Sequence, residues 1–216
     1  MNGKQMALRE FWISVRVAAR LPAPQAVVDS PRLDAEEIER VLRRSTLWLT
    51  PGAVAGFDEN DFSFLPVAER TRLAKLVTEF RQVASAVSPT APVPNDALER
   101  GLPLFRDIVL SLGFDRYEDP EALRLGKLIE QAIESDRPPE LADLRFRTGL
   151  DHSGDPALWI WAFLTEEVSK NDKDFLKAAH RLRANLDPIA RRVAPDRWPY
   201  LSFRPIAEPA EAVEAS

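Results

Sequence analysis

Residues 157–164 read Ala-Leu-Trp-Ile-Trp-Ala-Phe-Leu, and the fold turns on them. In a strand, Leu158, Ile160, Ala162 and Leu164 share one face, and Trp159, Trp161 and Phe163 share the other. A strand with one wet face alternates apolar with polar, so this one predicts cover on both sides. A C-terminal helix can cover one side. The expected cover for the indoles is the N-terminal helices or a protein partner, because bare aromatic patches mark interfaces. A small-ligand or base-stacking platform is the remaining use of such a face.

Just upstream, Leu144, Phe146 and Thr148 alternate with Arg145 and Arg147, which predicts a partner strand across a turn spanning 149–156. Downstream, Asp172 to Val193 carries Phe175, Leu176, Ala179, Leu182, Leu186 and Ile189 at helical spacing. Trp198 to Arg204 then reads as a last strand. The 30-odd residues between the second and third strands allow a parallel crossover, and the expected strand order is third, first, second. Asp119-Pro120-Glu121 supplies a cap, a first-turn proline and a first-turn acid for a helix that precedes the sheet. Residues 119–206 therefore predict an α-β-β-α-β domain.

Residues 1–118 read as mainly helical. Residues 4–21 fit both periodicities, and the helix formers Met6 to Glu10 favour helix. Leu21-Pro22-Ala23-Pro24 predicts an extended connector. Asp34 opens a short helix, Pro66 a long one, and Asn95 is the expected cap of another that stops at Gly113. Phe57, Phe62, Phe64 and Leu65 predict an irregular piece of core. Residues 207–216, with Glu208, Glu211 and Glu214, predict a disordered acidic tail. The fold class is α+β: a helical N-terminal part packed on a C-terminal α-β-β-α-β unit with a small three-stranded mixed sheet.

Composition mostly excludes. The 216 residues contain no cysteine, which removes disulfides, thiolate nucleophiles and cysteine metal sites. The apolar runs fall far short of the roughly 20 residues of a spanning helix, and Ser14, Arg16 and Arg20 break the N-terminal apolar stretch, so a soluble, cytoplasmic protein with no membrane contact is expected. Net charge is −5, yet residues 172–204 hold eight basic side chains against four acidic ones, leaving +4 there and −9 elsewhere. Neither Gly-x-Gly-x-x-Gly nor Gly-x-Ser-x-Gly occurs, and Asp155 stands where a phosphate-binding loop spaced from Gly149 would need lysine. No cofactor is expected.

The expected function is accordingly a non-enzymatic interaction protein, an adaptor or a regulatory, masking subunit. Its candidate contact residues are Trp159, Trp161, Phe163, Arg191, Arg192, Arg197, Trp198 and Tyr200, facing a protein partner or a second copy. Two alternatives stand beside it. Asp151, His152 and Asp155 offer two carboxylates and an imidazole within five residues, as a metal-dependent hydrolase or nuclease would need, although Asp, Ser and Gly are also ordinary turn residues. Arg191, Arg192 and Arg197 interleaved with Trp198 and Tyr200 suit nucleic acid, although basic residues also favour a helix C-terminus.

Overall fold

A computed structural model describes residues 3–21, 33–88, 90–169 and 171–206, so the proline connector and the acidic tail lie outside the described residues. The described residues form two compact units, 3–21 with 33–115, and 116–206. The chain is α+β, with a helical N-terminal part followed by a small three-stranded mixed sheet. Among the described residues, no helix is long and apolar enough to cross a membrane.

The first unit is helical. Helix α1 (Gly3–Ala19) buries Phe11, Trp12, Val15 and Ala19, a stripe at helical spacing, which resolves the ambiguous periodicity. Asp34 caps α2 (Ala35–Arg43) by accepting the Glu37 N–H at 2.7 Å. Helices α3 (Val67–Ser85) and α4 (Asn95–Leu112) pack together, with Phe80 and Phe105 at 5.0 Å and Trp48 stacked on Phe105. Pro94, not Asn95, is the cap of α4: its carbonyl takes the first helical N–H, and Asn95 already has helical backbone. Gly113 ends the helix in the left-handed region at φ 59°. The phenylalanine loop folds into two 3₁₀ turns, Pro51–Val54 and Glu59–Phe62, that bury Phe62 and Leu65. Arg81 clamps it by donating to the carbonyls of Val54 and Phe57.

The second unit runs α5 (Pro120–Ile133), β1 (Leu141–Leu150), β2 (Pro156–Leu164), the single turn α6 (Glu166–Ser169), α7 (Asp172–Val193) and β3 (Trp198–Pro205). Asp119 caps α5, accepting from the Ala122 N–H at 2.8 Å. Strands β1 and β2 pair antiparallel, and β2 and β3 pair parallel across the α7 crossover. The order is β1-β2-β3, which corrects the expected third-first-second arrangement. The expected slot beside β1 is taken: Tyr117 forms a parallel bridge to Phe146 there, whose N–H donates to the Arg116 carbonyl at 3.2 Å. The doubly apolar strand is thus the central one.

Both long helices of this unit lie on one sheet face. Register places Phe146, Ile160 and Leu201 together on that face. A Cβ on Gly126 of α5 would stand 2.6 Å from the Phe146 ring, and Arg183 of α7 lies 5.5 Å over Phe203, two residues beyond Leu201. The other face carries Arg145 and Arg147 from β1, Trp159, Trp161 and Phe163 from β2, and Tyr200 and Ser202 from β3.

The chain's own groups occupy part of each sheet edge. On β1, the carbonyls of Ala142 and Leu144 accept from Arg137 and Arg116. On β3, the Ile206 N–H bonds back to Leu164, so the even-numbered residues face β2 and the odd-numbered ones face outward. Two of those outward positions, Pro199 and Pro205, carry no N–H, and the Leu201 carbonyl accepts from Arg183 at 3.1 Å.

Candidate functional site

The face opposite the helices is layered with arginine and aromatic side chains. Arg147, Trp159 and Tyr200 stand in one register row across three strands. The Arg147 guanidinium lies 5.3 Å from the Trp159 ring centre, and Trp159 stacks on Tyr200 at 5.7 Å and 15°. Two residues closer to the turn on β1, Gly149 leaves room for the indole, since a Cβ would meet Trp159 at 3.2 Å. Arg145 covers Phe163 at 4.6 Å in the same manner. Guanidinium planes over ring faces gain cation–π energy while hiding apolar surface, which is how this side of β2 is partly covered. Trp159 and Trp161 remain half-buried, and Phe163 is buried.

Tyr200 is pinned at its far end. Its hydroxyl donates to Asp151 Oδ2 at 2.8 Å, while Asp151 Oδ1 accepts the backbone N–H groups of Ser153 and Asp155. The tyrosine hydrogen bond, with the backbone bonds behind it, holds the Asp151 carboxyl below its usual range. The same bond pushes the Tyr200 phenol above its usual value. Both oxygens of Asp151 are therefore engaged in closing the hairpin and holding Tyr200. Among the described residues, no three metal-ligating side chains come together, and Asp151 and Asp155 close a hydrogen-bonded turn beside the exposed His152.

At the start of β3, Trp198 is 54% exposed, and the Arg191 guanidinium lies 4.6 Å from its ring centre. Arg191 also donates through Nε to Asp187 at 2.8 Å. Arg197 is a structural tie: it pairs with Glu121 at 2.7 Å and donates to the Ala157 carbonyl. Arg192 is exposed. Of the eight candidate contact residues, the structure groups Trp159 with Tyr200 and Arg191 with Trp198, and leaves Arg197 committed elsewhere.

Sequence reasoning gave Arg145 and Arg147 only a strand's alternation and Glu121 only a helix's first turn, and it passed over Glu118. A signal was present: Arg-x-Arg on β1 and Trp-x-Trp on β2 share the period of two and face each other across a short turn. Glu118, which pairs with Arg147 at 3.0 Å, and Glu121 carry no such pattern.

A second polar cluster lies at the outer edge of β1, where Arg116 donates to the Leu144 carbonyl. Part-buried Arg116 pairs with Glu130 and, at 3.4 Å, with Asp143, and the Tyr117 hydroxyl donates to Glu130. Burial raises the Tyr117 phenol far above its usual value. Burial also opposes charge on Arg116, but the carboxylates of Glu130 and Asp143 outweigh it and hold the guanidinium charged. Glu130 and Asp143 each face an arginine, so the cluster is a closed ionic brace and presents no activated nucleophile. No protein-family model, curated protein or solved structure matches this chain.

Proposed function

We propose that the chain is a non-enzymatic interaction protein, an adaptor or regulatory subunit of the cytoplasm, which holds a protein partner at the Trp198 end of its sheet. The observation that carries this reading is Trp198 itself, a large aromatic side chain more than half exposed and oriented by a guanidinium over its ring. Tryptophan and arginine dominate the energetics of protein interfaces, and a pre-ordered pair loses little conformational entropy on binding.

Two further features support a protein partner bound through side chains. The carbonyls already engaged at both sheet edges, with Pro199 and Pro205 on β3, oppose strand addition. Three arginines of this region are neutralised from within, Arg147 by Glu118, Arg191 by Asp187 and Arg197 by Glu121, which favours a protein surface over a phosphate backbone. The test is affinity capture with the tagged full chain and its Trp198→Ala variant, under conditions that preserve folding. The expected result is a stoichiometric protein retained by the parent chain and lost with Trp198→Ala. Capture indifferent to that substitution, or binding that nuclease abolishes, overturns the reading.

A further inference from the structure

Arginine stands three residues before a hydroxyl side chain at Thr46 and at Thr148, and the fold treats the two differently. Thr148 lies within β1, 8% exposed, with its hydroxyl donating to Asp119 at 2.8 Å. Thr46 is exposed in the irregular segment after α2, and among the described residues its hydroxyl has no hydrogen-bond partner.

Residues 43–47 read Arg-Arg-Ser-Thr-Leu and stand on a fixed base. Leu42 and Trp48 on either side are fully buried, and the Trp48 indole N–H donates to the Leu42 carbonyl at 2.8 Å. Between these anchors Arg43, Arg44, Thr46 and Leu47 are exposed. Ser45 is buried instead, and its Oγ accepts the Leu47 N–H at 3.3 Å. The segment thus presents one hydroxyl and withholds its neighbour. Its charges suit an enzyme with an acidic cleft. Arg43 shares an exposed pair with Glu39, a weak tie, and Glu39 keeps Arg106 at 3.2 Å when Arg43 leaves. Arg44 has no carboxylate partner among the described residues. Protein kinases choose substrates by such charge patterns: guanidiniums ahead of the acceptor meet carboxylates of the cleft, and an exposed leucine directly after it adds an apolar contact.

From this display we infer that Thr46 is a phosphorylation site for an arginine-directed serine/threonine kinase. The Thr46 Oγ attacks the γ-phosphorus of a magnesium-bound nucleoside triphosphate. The Oγ–P bond forms and the bond from phosphorus to the bridging β-phosphate oxygen breaks; the hydroxyl proton passes to the carboxylate base of the kinase, and the nucleoside diphosphate leaves. The product places a charge of about −1.5 to −2 just beyond the C-terminus of α2, where the helix dipole disfavours it and the Arg44 guanidinium compensates. This modification is independent of what Trp198 binds.

The experiment incubates the folded full chain with a purified arginine-directed serine/threonine kinase and Mg²⁺-ATP, and maps the phosphate by peptide mass spectrometry. The expected result is a single phosphate on Thr46, retained in Thr46→Ser and lost in Thr46→Ala, with Ser45 and Thr148 unmodified. Arg43→Ala should lower kcat/KM about tenfold or more, the loss of one charge-assisted contact to the cleft. The substituted side chains are exposed, and unchanged circular dichroism verifies folding of the variants. Chain isolated from its own cells with phosphatases inhibited should carry the same phosphopeptide. No phosphate on the folded chain, phosphate at another residue, a rate indifferent to Arg43→Ala, or a cellular chain without the modification each overturns the inference.

Discussion

Gly126 sits where α5 crosses the sheet, and replacing it with alanine sets two effects against each other. In an isolated helix the change is favourable by about 1 kcal/mol. Here the added Cβ would stand 2.5 Å from the Tyr117 ring and 2.6 and 2.9 Å from atoms of Phe146. Neither ring can withdraw easily. Tyr117 is 1% exposed and its hydroxyl is held by Glu130, while Phe146 is 2% exposed and stacked on Tyr117 at 5.8 Å. Three contacts under 3 Å place the overpacking cost at the upper end of the usual range, about 3 kcal/mol. The net destabilisation is then about 2 kcal/mol, a fall in melting temperature of roughly 8–16 °C for a domain of this size. Thermal and urea denaturation followed by circular dichroism measure it, with the urea midpoint falling at an unchanged slope. Phe146→Leu in the same background should relieve the clash and recover part of the loss. Gly101→Ala is the contrasting case, since its close contact at 2.7 Å is the methyl tip of Leu49, which can turn aside. A Gly126→Ala chain that melts at or above the parent temperature would refute the crossing geometry.

Two other substitutions probe the polar ties. Asp119→Ala removes both the α5 cap and the acceptor of the Thr148 hydroxyl at 2.8 Å, and should cost about 2–4 kcal/mol, more than Thr148→Val, by chemical denaturation. Tyr200→Phe should raise the Asp151 titration midpoint toward its ordinary value near 3.9, leaving only the lowering due to the backbone N–H bonds, as read by carboxyl NMR. In the parent chain, the Asp151 contribution to stability is present above the ordinary carboxylate range and is lost as pH falls through the lowered folded value. The Tyr200 contribution is present below about pH 10 and is lost as pH climbs through the raised folded value; the tyrosine part of both dependences should vanish in Tyr200→Phe. With Asp151 already engaged, a panel of divalent cations should leave the melting temperature unchanged, and a shift abolished by Asp155→Ala would restore the cation reading.

Local chemistry carried most of the element assignments. Asp34 and Asp119 announced helix starts because a carboxylate at that position satisfies free N–H groups, whatever lies far away. Gly113 announced a stop because its left-handed backbone suits a residue without Cβ. The period-two runs of β1, β2 and β3 were equally plain. Asn95 misled for a local reason too: Asn and Pro both suit a helix start, and only the backbone angles assign the cap to Pro94.

What the amino-acid order determined by itself, then, was the element inventory, the α+β class and a central stretch that is apolar on both faces, since these follow from periodicity and capping over a few residues. Tertiary structure alone decided the strand order, because the Arg116–Tyr117 segment occupies the slot beside β1 and the α7 crossover therefore returns β3 beside β2. It also decided which charges are spent: Arg197 meets Glu121 and Asp151 meets Tyr200 across 76 and 49 residues, separations at which no sequence pattern operates. Contacts of that range depend on where the packed helices and the sheet bring distant side chains together, and on that depends which arginines are committed within the fold and that Trp198 remains exposed.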